Sequence, residues 1–98
     1  MSLSVESVGV GQSGGASLSR DLVFATLSNA RRRYVLHYLK RHAGPATIRE
    51  LAEQIAAWEN GTQMAEVTYK QRKRVYTSLH QTHLPKLADA GFIQSERS

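Results

Sequence analysis

Apolar positions recur at helical spacing over four stretches of the chain. Residues 20–27 carry Leu22, Val23 and Leu27, with Phe24 as a large anchor. Residues 30–42 carry Val35, Leu36 and Leu39 along one edge, widened by Tyr34 and Tyr38. In residues 48–58 the buried face is Leu51, Ala52, Ile55 and Ala56. Residues 68–90 read as one long helix. Taking about 100° per residue, Val75, Tyr76, Leu79, His83 and Leu87 fall on one side of it. Lys70, Arg74, Thr77 and Gln81 fall in a narrow stripe on the other, flanked by Lys73 and Ser78.

The punctuation agrees with this division. Ser19 is placed to cap the first helix, and Ser28 or Asn29 breaks it and caps the second. Thr47 with Glu50, and Thr68 with Gln71, are capping boxes, in which each side chain satisfies a backbone N–H of the other residue. Gly44-Pro45, Asn60-Gly61 and Ala90-Gly91 are stop signals. Pro85 removes one backbone hydrogen bond inside the long helix and kinks it near Gln81. Leu84 lies off the apolar stripe of the first half, as a phase shift at that point requires. Ala46-Thr47 and Phe92-Ile93 are short strand candidates. Residues 1–17 are rich in Ser, Gly and Val without helical period and read as a flexible arm. The SVESVGV run within it is at most a strand added at a subunit edge. Residues 18–98 form one small domain.

Charge sharpens this picture. The net charge is +5 and the sequence pI about 10.0, which favours a polyanionic partner, nucleic acid before membrane. The charge is also segregated. Residues 67–88 hold five Lys/Arg and no acid, residues 19–43 hold six and one acid, and residues 44–66 hold one and four acids. No apolar run approaches a membrane span, and no secretion signal precedes the domain. The absence of cysteine excludes thiolate metal sites, disulfides and cysteine nucleophiles and fits a cytoplasmic protein.

A helix buried on one face, offering cations and short hydrogen-bonding side chains on the other, suits a DNA major groove. Lys and Arg serve phosphate, and Arg, Gln, Thr and Ser serve base edges. The competing reading is a solvated charged face on a packed helix. Arg31-Arg32-Arg33 opposes the dipole of the helix it begins. The wheel turns Arg32 toward the core, as a structural residue with its head hydrogen-bonded near the helix start. Arg31 and Arg33 splay outward, either to phosphates or to ion pairs with Glu50, Glu53 or Glu59. His80 and His83 share a helix but lack the converging ligands a metal needs, and His83 fits a buried, hydrogen-bonded residue. No nucleophile–base spacing, phosphate-binding glycine loop or carboxylate pair suggests an enzyme. No cofactor is implied.

The order of elements, and the residues His83-Leu84-x-x-Leu87-x-x-Ala90-Gly91-Phe92-Ile93, resemble the recognition helix and wing entry of ArsR-like winged helix-turn-helix regulators. Leu27-Ser28-Asn29 with Arg32-x-x-Val35-Leu36-x-x-Leu39 resembles their second helix, and Ile48-x-x-Leu51-Ala52 their third. The segments LSNARRRYVLHYLKRH, LAEQIAAWENG and RKRVYTSLHQTHLPKLADAGFI look still more like a family of small, mostly uncharacterised haloarchaeal winged-helix proteins. The resemblance implies a mainly α, winged helix-turn-helix fold with four helices, acting as a homodimeric, sequence-specific transcriptional regulator on double-stranded DNA. Two departures stand out. The stretch between Ala52 and His83 is longer than in ArsR-like proteins, so the basic helix begins early. Only five residues follow Ile93, so the β-wing is expected to be minimal and truncated. The expected DNA contacts are Lys70, Lys73, Arg74, Thr77, Ser78 and Gln81, with Arg31 and Arg33 on flanking phosphates. The alternatives are a protein-interaction winged helix that has lost DNA binding, or a nonspecific architectural DNA-binder. Residues 22–27, Trp58 and residues 84–87 are candidate dimer surfaces.

Overall fold

The computed structural model describes residues 6–10 and 20–97. The chain runs β1 (Glu6–Val10), α1 (Arg20–Leu27), α2 (Ala30–Arg41), β2 (Ala46–Thr47), α3 (Ile48–Asn60), a 3-10 turn (Met64–Glu66), α4 (Tyr69–Ser78), a π-helical turn (Leu79–His83), α5 (Leu84–Asp89) and β3 (Ile93–Arg97). α4, the π turn and α5 follow one another without a break, forming the fourth helical element. The architecture is therefore four helices with a small antiparallel sheet of order β2-β1-β3. No helix among the described residues is long and apolar enough to cross a membrane.

Local signals set the helix boundaries. Asn29 Oδ1 accepts from the amides of Arg31 (2.8 Å) and Arg32 (3.4 Å) and starts α2. Both capping boxes form, at Thr47 with Glu50 and at Thr68 with Gln71. The Ser19 cap lies outside the described residues. α5 ends on Gly91 at φ 81°, with Gly91 N donating to Ala88 O (3.0 Å) and Phe92 N to Leu87 O (2.9 Å). This is a Schellman closure, whose left-handed residue favours glycine. α3 ends the same way at Gly61, φ 63°.

The core joins Val35 and Leu39 of α2, Leu51, Ala52, Ile55 and Ala56 of α3, and Val75, Leu79, Leu84 and Leu87 of the long rod. A regular α-helix would not point both His83 and Leu84 inward along with Leu79. The π turn fits an extra residue into that turn, so Leu79, His83, Leu84 and Leu87 are all buried. Pro85, at the start of α5, shifts the phase of the rod rather than ending it.

Three expectations are corrected. Residues 6–10 are a strand, and not at a subunit edge: β1 is the central strand of the chain's own sheet. It pairs with β2 (Val8 with Ala46) and with β3 along its whole length, from Glu6 with Arg97 to Val10 with Ile93. Val8 is fully buried in the core. The remainder of the expected arm lies outside the described residues. No hairpin follows α5 among the described residues, in keeping with the short segment expected there: β3 pairs with β1, from the other end of the chain. Second, Phe24 is not an anchor within the chain: it is 66% exposed and Leu22 43%, while Thr26 is the buried residue of α1. Third, Tyr76, expected on the buried side of the long helix, is exposed at 40%.

The position of β1 makes a test. Val8→Ala removes two buried methyl groups and is expected to lower the unfolding free energy by about 2 kcal/mol. Urea denaturation should show a lower midpoint at unchanged slope. An unchanged midpoint would return these residues to a loose arm.

Candidate nucleic-acid interface

Thr68 caps α4 at 3.1 Å from the amide of Gln71, and Gln71 Oε1 returns the bond to the amide of Thr68 at 3.0 Å. From that fixed start Val75 and Leu79 are buried, so the opposite side must face outward. Lys70, Lys73, Arg74, Thr77, Gln81 and Thr82 are all exposed. With Ser78 they line one shallow, open groove along the rod. Six of these seven are the residues expected from the wheel. Thr82 is the addition: on a regular helix it lies well off the stripe, and the wider π turn rotates it back.

The cations of this region divide into two sets. Among the described residues, Lys70, Lys73 and Arg74 form no ion pair. Arg72 reaches Glu53 at 3.5 Å, and Glu53 also holds Arg49 at 3.3 Å. Tyr69, 65% exposed, lies beneath the Arg72 guanidinium (5.5 Å) and the Lys73 ammonium (5.7 Å). The cations without an acidic partner thus lie on the outward face, and Arg72 braces α4 against α3.

Arg31 is held by ion pairing, the second of its two expected roles, rather than presented to phosphate. Its Nε donates to Glu59 Oε2 at 2.6 Å and its Nη2 to Glu59 Oε1 at 3.0 Å, while Nη1 donates to Ser78 Oγ at 3.0 Å. One side chain ties the start of α2 to the ends of α3 and α4, and it occupies Ser78 as well. A helical wheel carries no information about Glu59, 28 residues away. Arg33 is exposed, with Nη1 donating to Leu27 O at 2.6 Å.

Arg32 behaves as the wheel implies. It is 8% exposed. Its Nε donates to Thr26 O (2.6 Å), Nη2 to Ala25 O (3.2 Å), and Nη1 lies 3.3 Å from His83 Nδ1. Arginine has no acceptor, so His83 accepts at Nδ1 and carries its proton on Nε2. Burial pushes the His83 pKa below its ordinary 6.5; Arg32, Arg31 and Lys86 push it further down, and Glu59 opposes them. The unfolded chain therefore binds a proton at a higher pH than the folded chain does. This contribution to stability is complete above about pH 6.5 and is lost as the pH falls toward the lowered value. Urea midpoints are expected to fall between pH 7.5 and 5, and to fall less in His83→Gln, whose amide oxygen still accepts from Arg32. An identical pH dependence in the two proteins would contradict the assignment.

Trp58 packs against Tyr34 (5.4 Å), His37 (5.5 Å) and Tyr38 (6.5 Å), joining α2 to α3. Among the described residues no group of three or more His, Asp or Glu is placed to hold a metal ion. Residues 24–98 match a family model described as a domain of unknown function (DUF7344). No curated protein and no solved structure matches the chain.

Proposed function

The chain belongs to the DUF7344 family, and from the geometry of α4 we propose that it is a sequence-specific regulator of the winged helix-turn-helix type, binding double-stranded DNA. The observation that carries this reading is the outward face of α4. Lys70, Lys73 and Arg74 have no acidic partner among the described residues, whereas the neighbouring Arg31 and Arg72 are both paired. Thr77 and Gln81 continue the same face with groups suited to base edges. A solvated face with no partner needs no such segregation.

The topology supports the same reading. In this reading α3, the loop after it and the basic rod would serve as the helix-turn-helix, and the antiparallel sheet of β2, β1 and β3 would take the part of the winged helix's sheet. β1, between β2 and β3, would then stand in for the returning wing strand. Lys70, Lys73 and Arg74 would contact phosphates and bases, Thr77, Gln81 and Thr82 would tune sequence preference, and Arg33 remains available to a flanking phosphate. Arg31 and Ser78 act by positioning the rod.

Leu22 and Phe24, exposed on α1, are the dimer surface in this reading, with two-fold symmetry placing two half-sites about one helical turn apart. Phe24→Glu should convert a dimer to a monomer in sedimentation velocity while leaving the helical circular dichroism intact. A variant that sediments like the parent would remove α1 from the interface.

The function is tested by fluorescence anisotropy, comparing a duplex selected from a random pool with a scrambled one across salt. A dimer using Lys70, Lys73 and Arg74 of both subunits should show a log–log salt slope of about −5, and the selected duplex should bind far more tightly. Equal affinities would indicate an architectural binder. A protein-interaction role has one observation in its favour: Tyr69 and Tyr76 are exposed beside the basic face, as an acidic protein partner would need. Binding to neither duplex would favour that role.

A further inference from the structure

A cavity of about 230 Å³ opens between α1 and α5, away from the basic groove. Leu22, Ala25 and Thr26 form one wall, Lys86, Asp89 and Ala90 the other, and Arg32 of α2 lies between them. The volume is below the roughly 300–1,000 Å³ of sites for drug-sized ligands, so an occupant must be small.

The charge around this cavity is unbalanced. Arg32 is 8% exposed, yet no carboxylate pairs with it among the described residues. Its hydrogen bonds go to two backbone carbonyls and to His83. These satisfy its geometry without neutralising its charge, and a buried charge is ordinarily paired. Three of its five N–H groups are engaged in those bonds, which leaves two, the number a carboxylate accepts in bidentate fashion. Lys86, on the facing wall, also forms no ion pair among the described residues. Asp89 is the single acid of the lining and disfavours a ligand with a second negative charge. Leu22, Ala25 and Ala90 offer apolar surface to a short hydrocarbon body.

We infer that the cavity between α1 and α5 is a binding site for a small organic monocarboxylate, with Arg32 and Lys86 holding its carboxylate. The site does not require DNA binding, but it borders the α1 surface proposed for the dimer, since Leu22 belongs to both. Its occupant would bridge α1 to α5, the far end of the rod that carries the basic face.

The test is a titration of the ¹⁵N-labelled full chain with butyrate, with the neutral butyramide and with sulfate, at fixed ionic strength. Butyrate should give saturable amide shifts at Ala25, Thr26, Asp89 and Ala90, with affinity at least about tenfold above either control, the worth of one charge-assisted hydrogen bond. Lys86→Ala changes an exposed side chain and should keep the fold while weakening butyrate several-fold. Absence of saturable shifts, an equal response to butyramide, an equal response to sulfate, or an unaltered affinity in Lys86→Ala would each overturn the assignment.

Discussion

Arg32→Ala is expected to lower the unfolding free energy by about 3–5 kcal/mol, a large share of what holds a small domain together. The guanidinium is buried and serves three acceptors in two other elements: Thr26 O, Ala25 O and His83 Nδ1. Removing it strands each of them at about 1–3 kcal/mol for a buried group, moderated where water enters from the adjoining cavity. The same loss detaches the C-terminal end of α1 from the rod, since α1 has little other buried surface. Amide exchange in α1 should therefore accelerate more than in α3. Arg32→Lys keeps the charge but not the planar fork, and should recover only part of the loss. Arg33→Ala, at an exposed residue with one carbonyl contact, should stay within about 0.5 kcal/mol of the parent. A comparable result for Arg32→Ala in urea denaturation would remove Arg32 from its structural role.

The double reversal Lys70→Glu with Arg74→Glu should leave the fold intact and reduce duplex affinity about a thousandfold. Loss of each contact is worth on the order of 1–3 kcal/mol, reversal adds repulsion from phosphate, and tenfold in affinity is about 1.4 kcal/mol. Both side chains are exposed and lack an acidic partner among the described residues, so the urea midpoint should barely move. Arg31→Ala makes the opposite pattern. It breaks the fork to Glu59 and Ser78, costing roughly 0.5–1 kcal/mol of stability for a pair that is partly exposed, with little direct effect on DNA. If the double reversal binds duplex as the parent does, the groove on α4 is not the DNA surface.

These contrasts show what the sequence makes visible. Helix starts and stops are local: Thr47 with Glu50, Thr68 with Gln71, and the glycines at 61 and 91 each act within a few residues, and each forms as expected. The turn of a helix separates Arg32 from Arg31 and Arg33, and the structure keeps them apart. The non-local pairings are another matter. β1 pairs with β3 across almost the full length of the chain, and nothing near residues 6–10 signals that partner. An ion pair of Arg31 with Glu50, Glu53 or Glu59 is foreseen, but the choice of Glu59 is fixed only when α2 and α3 pack. The phase shift at Leu84 is legible from Pro85, but its form is not. A π turn, rather than a simple kink, keeps the rod continuous and brings Thr82 onto the basic groove.

In the proposed complex α4 presents its outward face to duplex DNA. The most direct measurement adds a high-affinity duplex to the ¹⁵N-labelled chain and maps the amide shifts. The expected pattern is a continuous band over Lys70, Lys73, Arg74, Thr77, Gln81 and Thr82, with Trp58 and the β1–β3 pairing unaffected. Shifts centred on another surface, or no shifts with duplex at any salt at which the chain stays folded, would contradict it.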